Sequence, residues 1–311
     1  MDPICHTLFG AALGSTGLER KTRFGRATLI LGANLPDIDV ISYGWSETVA
    51  LEVRRGTTHG ILALLTLPVL LAGAMMLLSR SKPRKAGQPA ANFKWLLALS
   101  AVSVISHSTL DFLNVYGLRW LMPIDSRWFF GDILYIVDPW MWGILTGALL
   151  FARGNRGREL GRVRANPASL GILIAVSYIF AMAAGTWVAR GVVAAQLPDA
   201  DEFRMMVAPV PVNPFRRTVV IDGESEYRAG IVELLPKPRF HLDAHRVPKG
   251  KNPAFDQAAA TERGRRFLNW ARFPFFELDE STDPPTVYIL DARYTLRRNT
   301  GFGTIRIPIP R

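Results

Sequence analysis

The stretch Arg54-Arg55-Gly56-Thr57-Thr58-His59-Gly60, continued by ILALLTLPVLLAGAMMLL (residues 61–78) and then by Ser79-Arg80-Ser81-Lys82-Pro83-Arg84-Lys85, decides the fold. Its apolar run holds no charge, and a helix of about 20 such residues crosses a hydrocarbon core of ~30 Å. Arginines, hydroxyls and a histidine open the run, and a basic cluster closes it. Leu96–Leu113, Ile133–Phe151 and Leu170–Ala189 are likewise hydrophobic segments long enough to cross, so four spans are expected. Ile4–Leu18 and Ala27–Ser42 are shorter, reaching about 22–24 Å at 1.5 Å per residue. They either span a thinned site or re-enter from one face.

Basic residues gather in alternate loops: Arg20, Lys21, Arg23 and Arg26; then Arg80, Lys82, Arg84, Lys85 and Lys94; then Arg153, Arg156, Arg158, Arg162 and Arg164. The intervening loops hold only Arg54 with Arg55, and Arg119 with Arg127. Positive loops stay in the cytoplasm, so the N-terminus and everything after Ala189 are expected outside. The net charge of +11 on a chain that is 49% apolar then follows largely from the cytoplasmic loops, and no nucleic-acid partner is expected. No basic region precedes the first apolar run, so a cleavable signal peptide is not expected. The lone cysteine, Cys5, excludes an internal disulfide and reads as a buried thiol or a ligand beside His6.

After Ala189 the texture changes. Pro198, Pro209, Pro211 and Pro214 mark an extended linker, and strands are expected at Thr218–Ile221, Glu226–Leu234, Thr286–Leu290 and Thr304–Ile307. Asp222-Gly223 reads as a hairpin turn, and Ala254–Arg272 has helical composition. The expected architecture is mainly α: a polytopic helical membrane domain over residues 1–189, then a small extracytoplasmic α+β domain over residues 190–311.

The chemistry lies in five clusters: His6, Asp37 with Asp39, His59, His107 with Asp111, and Asp138. The loop-charge orientation, which uses none of them, places all five at the outer ends of their segments. His107 and Asp111, four apart on a helix, project from one face; they suit one metal ion or a hydrogen-bonded pair that glues helices. Around Pro36 the chain leaves helical geometry, so Asp37 and Asp39 can both bend toward one site, one as ligand and the other as bridge or general base. Thr57 or Thr58 can cap the following helix. Arg55 can hold an anionic substrate group bidentately or anchor headgroups. Asp138 is a ligand or orients a ligand histidine. Trp128, Trp140 and Trp142 fit an interfacial belt better than a stacking site, and His241 and His245 read as part of a loop.

Together Met1-Asp2-Pro3 with His6 and Thr7, Asn34-Leu35-Pro36-Asp37-Ile38-Asp39, Arg55-Gly56-Thr57-Thr58-His59, Ser106-His107 with Asp111, and Asp138-Pro139-Trp140 resemble the YdjM-like inner-membrane metal-dependent hydrolases. Asn213-Pro214-Phe215-Arg216 and Asp291-Ala292-Arg293-Tyr294 extend the resemblance toward the C-terminus. Arg54 departs from the pattern, which often has a histidine there. The resemblance implies a multi-pass protein of the bacterial inner membrane, and the family's name also carries a LexA-binding association, which would need a cytoplasmic surface. The ligand pattern is more loosely similar to zinc-dependent phospholipase C.

The expected function is therefore a membrane-bound hydrolase with one or two divalent ions, zinc above others, held by His6, Asp37, Asp39, His59, His107, Asp111 and Asp138. Asp39 and Arg55 are the expected catalytic pair. Arg55, Arg119 and Arg127 near a lipid interface favour a phosphate ester or lipid headgroup as substrate. The alternative is a membrane scaffold or regulator whose His and Asp clusters are structural.

Overall fold

The computed structural model describes residues 1–84, 86–154, 166–197 and 204–310. Lys85, Arg156, Arg158, Arg162, Arg164 and Pro198 lie outside the described residues. The chain forms two compact units, Met1–Asp39 with Arg55–Ala183, and Val40–Arg54 with Ala184–Arg311. Val40–Arg54 thus groups with the second unit although it lies within the sequence expected to form the membrane part.

The first unit is helical: α1 (Pro3–Ser15), α2 (Gly25–Gly32), α4 (Ile61–Ser81), α5 (Phe93–Phe112), α6 (Pro139–Gly154) and the first part of α7 (Pro167–Gln196). Among the described residues α4, α5 and α7, of 21, 20 and 30 residues, are long and apolar enough to cross a membrane. The fourth expected span is corrected. Residues 133–138 are not helical, and α6 begins only at Pro139 and has 16 residues, about 24 Å at 1.5 Å per residue. Pro139 disfavours helical geometry in the residue before it and suits the first helical position. Asp138 then accepts hydrogen bonds from the Trp140 and Met141 amides at 3.0 and 3.1 Å.

The short N-terminal segments also stop early. α1, capped by Asp2 at the Ile4 and Cys5 amides, has 13 residues, and α2 has eight. Pro36 lacks an amide hydrogen, and the chain continues as a 3-10 segment, Leu35–Gly44. Within the unit α1 packs on α2 and α6, α2 on α5, and α5 on α4. Small residues allow the closest approach: a Cβ on Gly10 would lie 2.7 Å from the Leu29 carbonyl oxygen and 2.9 Å from the Ala33 Cβ. Met1, Cys5, Leu110, Leu134, Met141, Leu145 and Met182 form a core shared by α1, α5, α6 and α7.

In the second unit β1 (Met205–Pro209), β2 (Arg216–Asp222), β3 (Glu226–Glu233) and β4 (Arg239–Pro248) form an antiparallel meander, and β5 (Pro274–Asp279), β6 (Thr286–Asp291) and β7 (Thr304–Pro308) form a second sheet. The four expected strands are β2, β3, β6 and β7, and the Asp222-Gly223 turn joins β2 to β3, with the Gly223 amide donating to Glu226 O at 3.0 Å. β1 falls where a linker was expected: all five of its residues are buried, so it carries no period-two signal. β4, which contains His241 and His245, is mostly exposed and polar, and the loop expected there is a strand. The expected helix at Ala254–Arg272 is broken at Thr261 into α8 (Pro253–Ala260) and α9 (Glu262–Trp270). Thr261 caps α9 at the Gly264 amide, 3.0 Å away. α3 (Glu47–Val53) packs on α9, where Arg266 Nε meets Glu52 at 2.8 Å.

Gly10→Val should force α1 and α2 apart. The expected cost is about 1–3 kcal/mol, seen as a lower unfolding temperature of the purified protein; an unchanged temperature would show that the crossing has room.

Candidate metal centre

Three parts of the chain deliver the four residues of the site. Asp37 comes from the turn after α2, His59 from the residue before the α4 cap, and His107 and Asp111 from the last turns of α5. One ligand atom from each of Asp37, His59, His107 and Asp111 lies within 4.8 Å of all the others, the only such group among the described residues. His59 Nε2 is 3.0 Å from His107 Nε2, 3.2 Å from Asp111 Oδ2 and 4.0 Å from Asp37 Oδ1. His107 Nε2 is 3.6 Å from Asp111 Oδ2. Zinc bonds of 2.0–2.1 Å imply a tetrahedron with edges of about 3.4 Å, close to these separations.

The far nitrogens of both rings set their chemistry. His107 Nδ1 lies 2.7 Å from the Ala33 carbonyl oxygen. A carbonyl only accepts, so the proton belongs on Nδ1 and the Nε2 lone pair faces the cluster. His59 Nδ1 lies 3.0 Å from Thr58 Oγ1, whose own proton is donated to Asp39 Oδ2 at 2.7 Å. His59 therefore donates from Nδ1 to the hydroxyl, and its Nε2 also offers a lone pair. Two lone pairs 3.0 Å apart beside a buried carboxylate oxygen repel one another unless a proton or a cation sits among them. The donor set fits a divalent metal on this ground.

Around these groups stands a second layer. Asp111 Oδ1 accepts from Arg55 Nη2 at 2.9 Å, lies 3.2 Å from His6 Nε2, and pairs with the Met1 amino group. The His6 ring stacks on His107 at 3.9 Å. Arg55, in the left-handed region at φ 51°, also donates to Asn114 Oδ1 at 2.9 Å and lies over Tyr116. Its backbone amide donates to Asp39 Oδ2 at 2.8 Å, so residues 40–54 leave and re-enter the first unit at one neck. Of the four grouped side chains only Asp37, 13% exposed, is not fully buried.

Placement of the expected residues is uneven. His6, Asp37, Asp39, His59, His107, Asp111 and Arg55 come together. Asp138 does not: it caps α6 and accepts from the Tyr178 hydroxyl at 3.0 Å. The threonine cap expected for α4 is not formed; Gly60 is the cap, with no side-chain bond, and Thr58 is used by Asp39 and His59. Gly60 is required there by crowding, since a Cβ would lie 2.4 Å from the Met122 carbonyl oxygen. Arg119 is buried over Trp128, and Arg127 is exposed and paired with Asp125 at 2.5 Å. His245 Nε2 sits 3.0 Å from Leu296 O, outside any metal grouping among the described residues. Sequence reasoning missed Asn114, which ties Arg55 to the Tyr116 amide; its spacing of three from Asp111 was the available signal.

Residues 1–188 match the profile of the YdjM inner membrane protein family. The curated "Uncharacterized protein YfhP" of Bacillus subtilis (strain 168) is 25% identical over 167 residues, covering 50% of this chain and 48% of the relative. The chain thus spans about half the length of that relative. No solved structure matches.

Thr58→Val removes the hydroxyl between Asp39 and His59 while keeping its volume. Metal affinity should fall about 10- to 100-fold, measured by competition with a chelating dye; wild-type affinity would show that the Thr58 link does not orient His59.

Proposed function

The chain belongs to the YdjM inner membrane protein family, and from that premise we propose that it is a membrane-bound metal-dependent hydrolase acting on a phosphate ester, in particular a lipid headgroup. The observation that carries the reading is the pair of imidazole Nε2 atoms 3.0 Å apart with Asp111 Oδ2 beside them. Asp37, His59, His107 and Asp111 would hold the ion, with zinc the best match to two imidazoles and two carboxylates. When bound, such an ion supplies Lewis acidity and makes water a nucleophile at neutral pH.

The surrounding residues have separate tasks. Thr58 and Asp39 fix the His59 ring, so Asp39 acts here as a positioning residue as well as a candidate base. His6 and Arg55 hold Asp111 Oδ1, which leaves Oδ2 turned toward the histidines. Arg55 and a doubly charged ion balance the charges of Asp37, Asp39 and Asp111, so an anionic substrate meets no net repulsion. Asp37 is the exposed member of the group, and substrate enters from its side.

The basic loops 20–26 and 80–84 lie at the ends of the helices away from these ligands. With those loops cytoplasmic, the site faces outward and the unit containing the two sheets is extracytoplasmic. Alkaline phosphatase fused after Arg311 should be active; an inactive fusion together with a fluorescent cytoplasmic reporter would reverse the orientation.

Elemental analysis of detergent-purified protein should find about one or two divalent ions per chain. The His59→Ala, His107→Ala double variant should lose them, and chelation should abolish hydrolysis of bis-p-nitrophenyl phosphate or of phospholipid. Absence of metal, or the same stoichiometry in the double variant, would overturn the reading in favour of a scaffold held by the Arg55–Asp111 pair.

A further inference from the structure

A cleft of about 1130 Å³ lies at the other end of the same helices. α4 begins at the metal centre and ends at this cleft, and α5 begins near the cleft and ends at the metal centre. The cleft is lined by Arg20, Arg23, Arg26, Lys82 and Arg84, with Glu19 the one acidic side chain in its wall.

Loops far apart in sequence are stitched to make it. The Arg23 guanidinium donates to Ser79 O at 3.1 Å, Lys82 O at 2.9 Å and Pro83 O at 2.9 Å, which closes the last turn of α4. Thr22, fully buried, accepts from the Asn92 amide at 2.9 Å, and the Arg23 amide donates to Ala90 O at 3.4 Å. Arg23 is thus committed to carbonyls, and Arg26 is paired with Glu19 at 3.4 Å. Arg20, Lys82 and Arg84 make no ion pair with a described residue and are exposed around the cleft. The N-terminus of α2 opens on the same space, with Phe24 as a cap that makes no side-chain bond, and a helix N-terminus adds positive potential.

A concave surface carrying several unneutralised cations at the end of two spans is matched by an anion with several acceptor oxygens at headgroup depth. We propose that this cleft binds a phosphate-bearing anion, supplied either as the headgroup of an anionic phospholipid or as free phosphate. Arg20, Lys82 and Arg84 supply the charge, and Arg23 holds the two loops in place. The assignment does not depend on the chemistry at the metal centre.

The test uses full-length protein reconstituted in nanodiscs of phosphatidylcholine and phosphatidylglycerol in equal parts, with retained lipid read by native mass spectrometry. The variant Lys82→Gln, Arg84→Gln, Ser81→Lys, Ala86→Lys removes two cleft cations and keeps the charge of the loop, so the orientation signal is preserved. Retained phosphatidylglycerol should fall on the order of tenfold, with phosphatidylcholine unchanged. In detergent, inorganic phosphate is titrated against the unfolding temperature of both proteins. A rise in wild type that the variant lacks identifies free phosphate as a sufficient ligand, whereas lipid retention without a phosphate response identifies the headgroup. Equal phosphatidylglycerol retention in both proteins, with no phosphate response, would overturn the proposal. If the fourfold variant fails to fold, Arg20→Gln alone, with unchanged unfolding temperature, is read by the same criteria.

Discussion

Asp111 carries a carboxylate with no exposure at all, and the first unit is organised around keeping that charge partnered. Moving an ion of this size out of water costs several kcal/mol even after relaxation, and removing a partner leaves the penalty uncompensated. One oxygen takes Arg55, His6 and the Met1 amino group, and the other faces two imidazoles. Together these contacts tie down four parts of the chain: the start of α1, the neck between residues 39 and 55, the approach to α4 and the end of α5. The helix termini are therefore set by one charge as well as by apolar packing. The small-residue crossing at Gly10 lets α1 come close enough for His6 to lie over His107.

The helical part was legible where its signals were local. The run at α4 is strongly apolar, α5 stays apolar on balance despite its serines, and His107 with Asp111 declares a shared face through its spacing. The proline after Leu35 announces a turn that can present Asp37 and Asp39. Hydropathy overran at Ile133 because it weighs composition and is blind to Pro139, which with Asp138 fixes a later helix start. Asp138 looked like a ligand for the same reason that it caps well: a carboxylate in an apolar setting must find donors, and the nearest ones were backbone amides.

In the sheet-bearing unit, β2, β3, β6 and β7 could be read from β-branched and aromatic residues. A wholly buried strand and a largely exposed one, β1 and β4, both lack alternation, and so neither declares itself. The partners of Arg55 were also hidden, because a guanidinium near a lipid interface reads equally well as a ligand for substrate or for headgroups. Burial and the bonds to Asp111 and Asn114 turn it inward instead.

The neck at Asp39 and Arg55 has an evolutionary consequence. Because the amide of one residue is bonded to the side chain of the other, the fifteen residues between them form an insertion whose ends are already brought together within the first unit. Loop-closure cost grows only slowly with length, so lengthening, shortening or replacing this insertion leaves Asp37, His59 and their partners where they are. The most variable length among chains of this design is therefore expected between two residues that themselves cannot move.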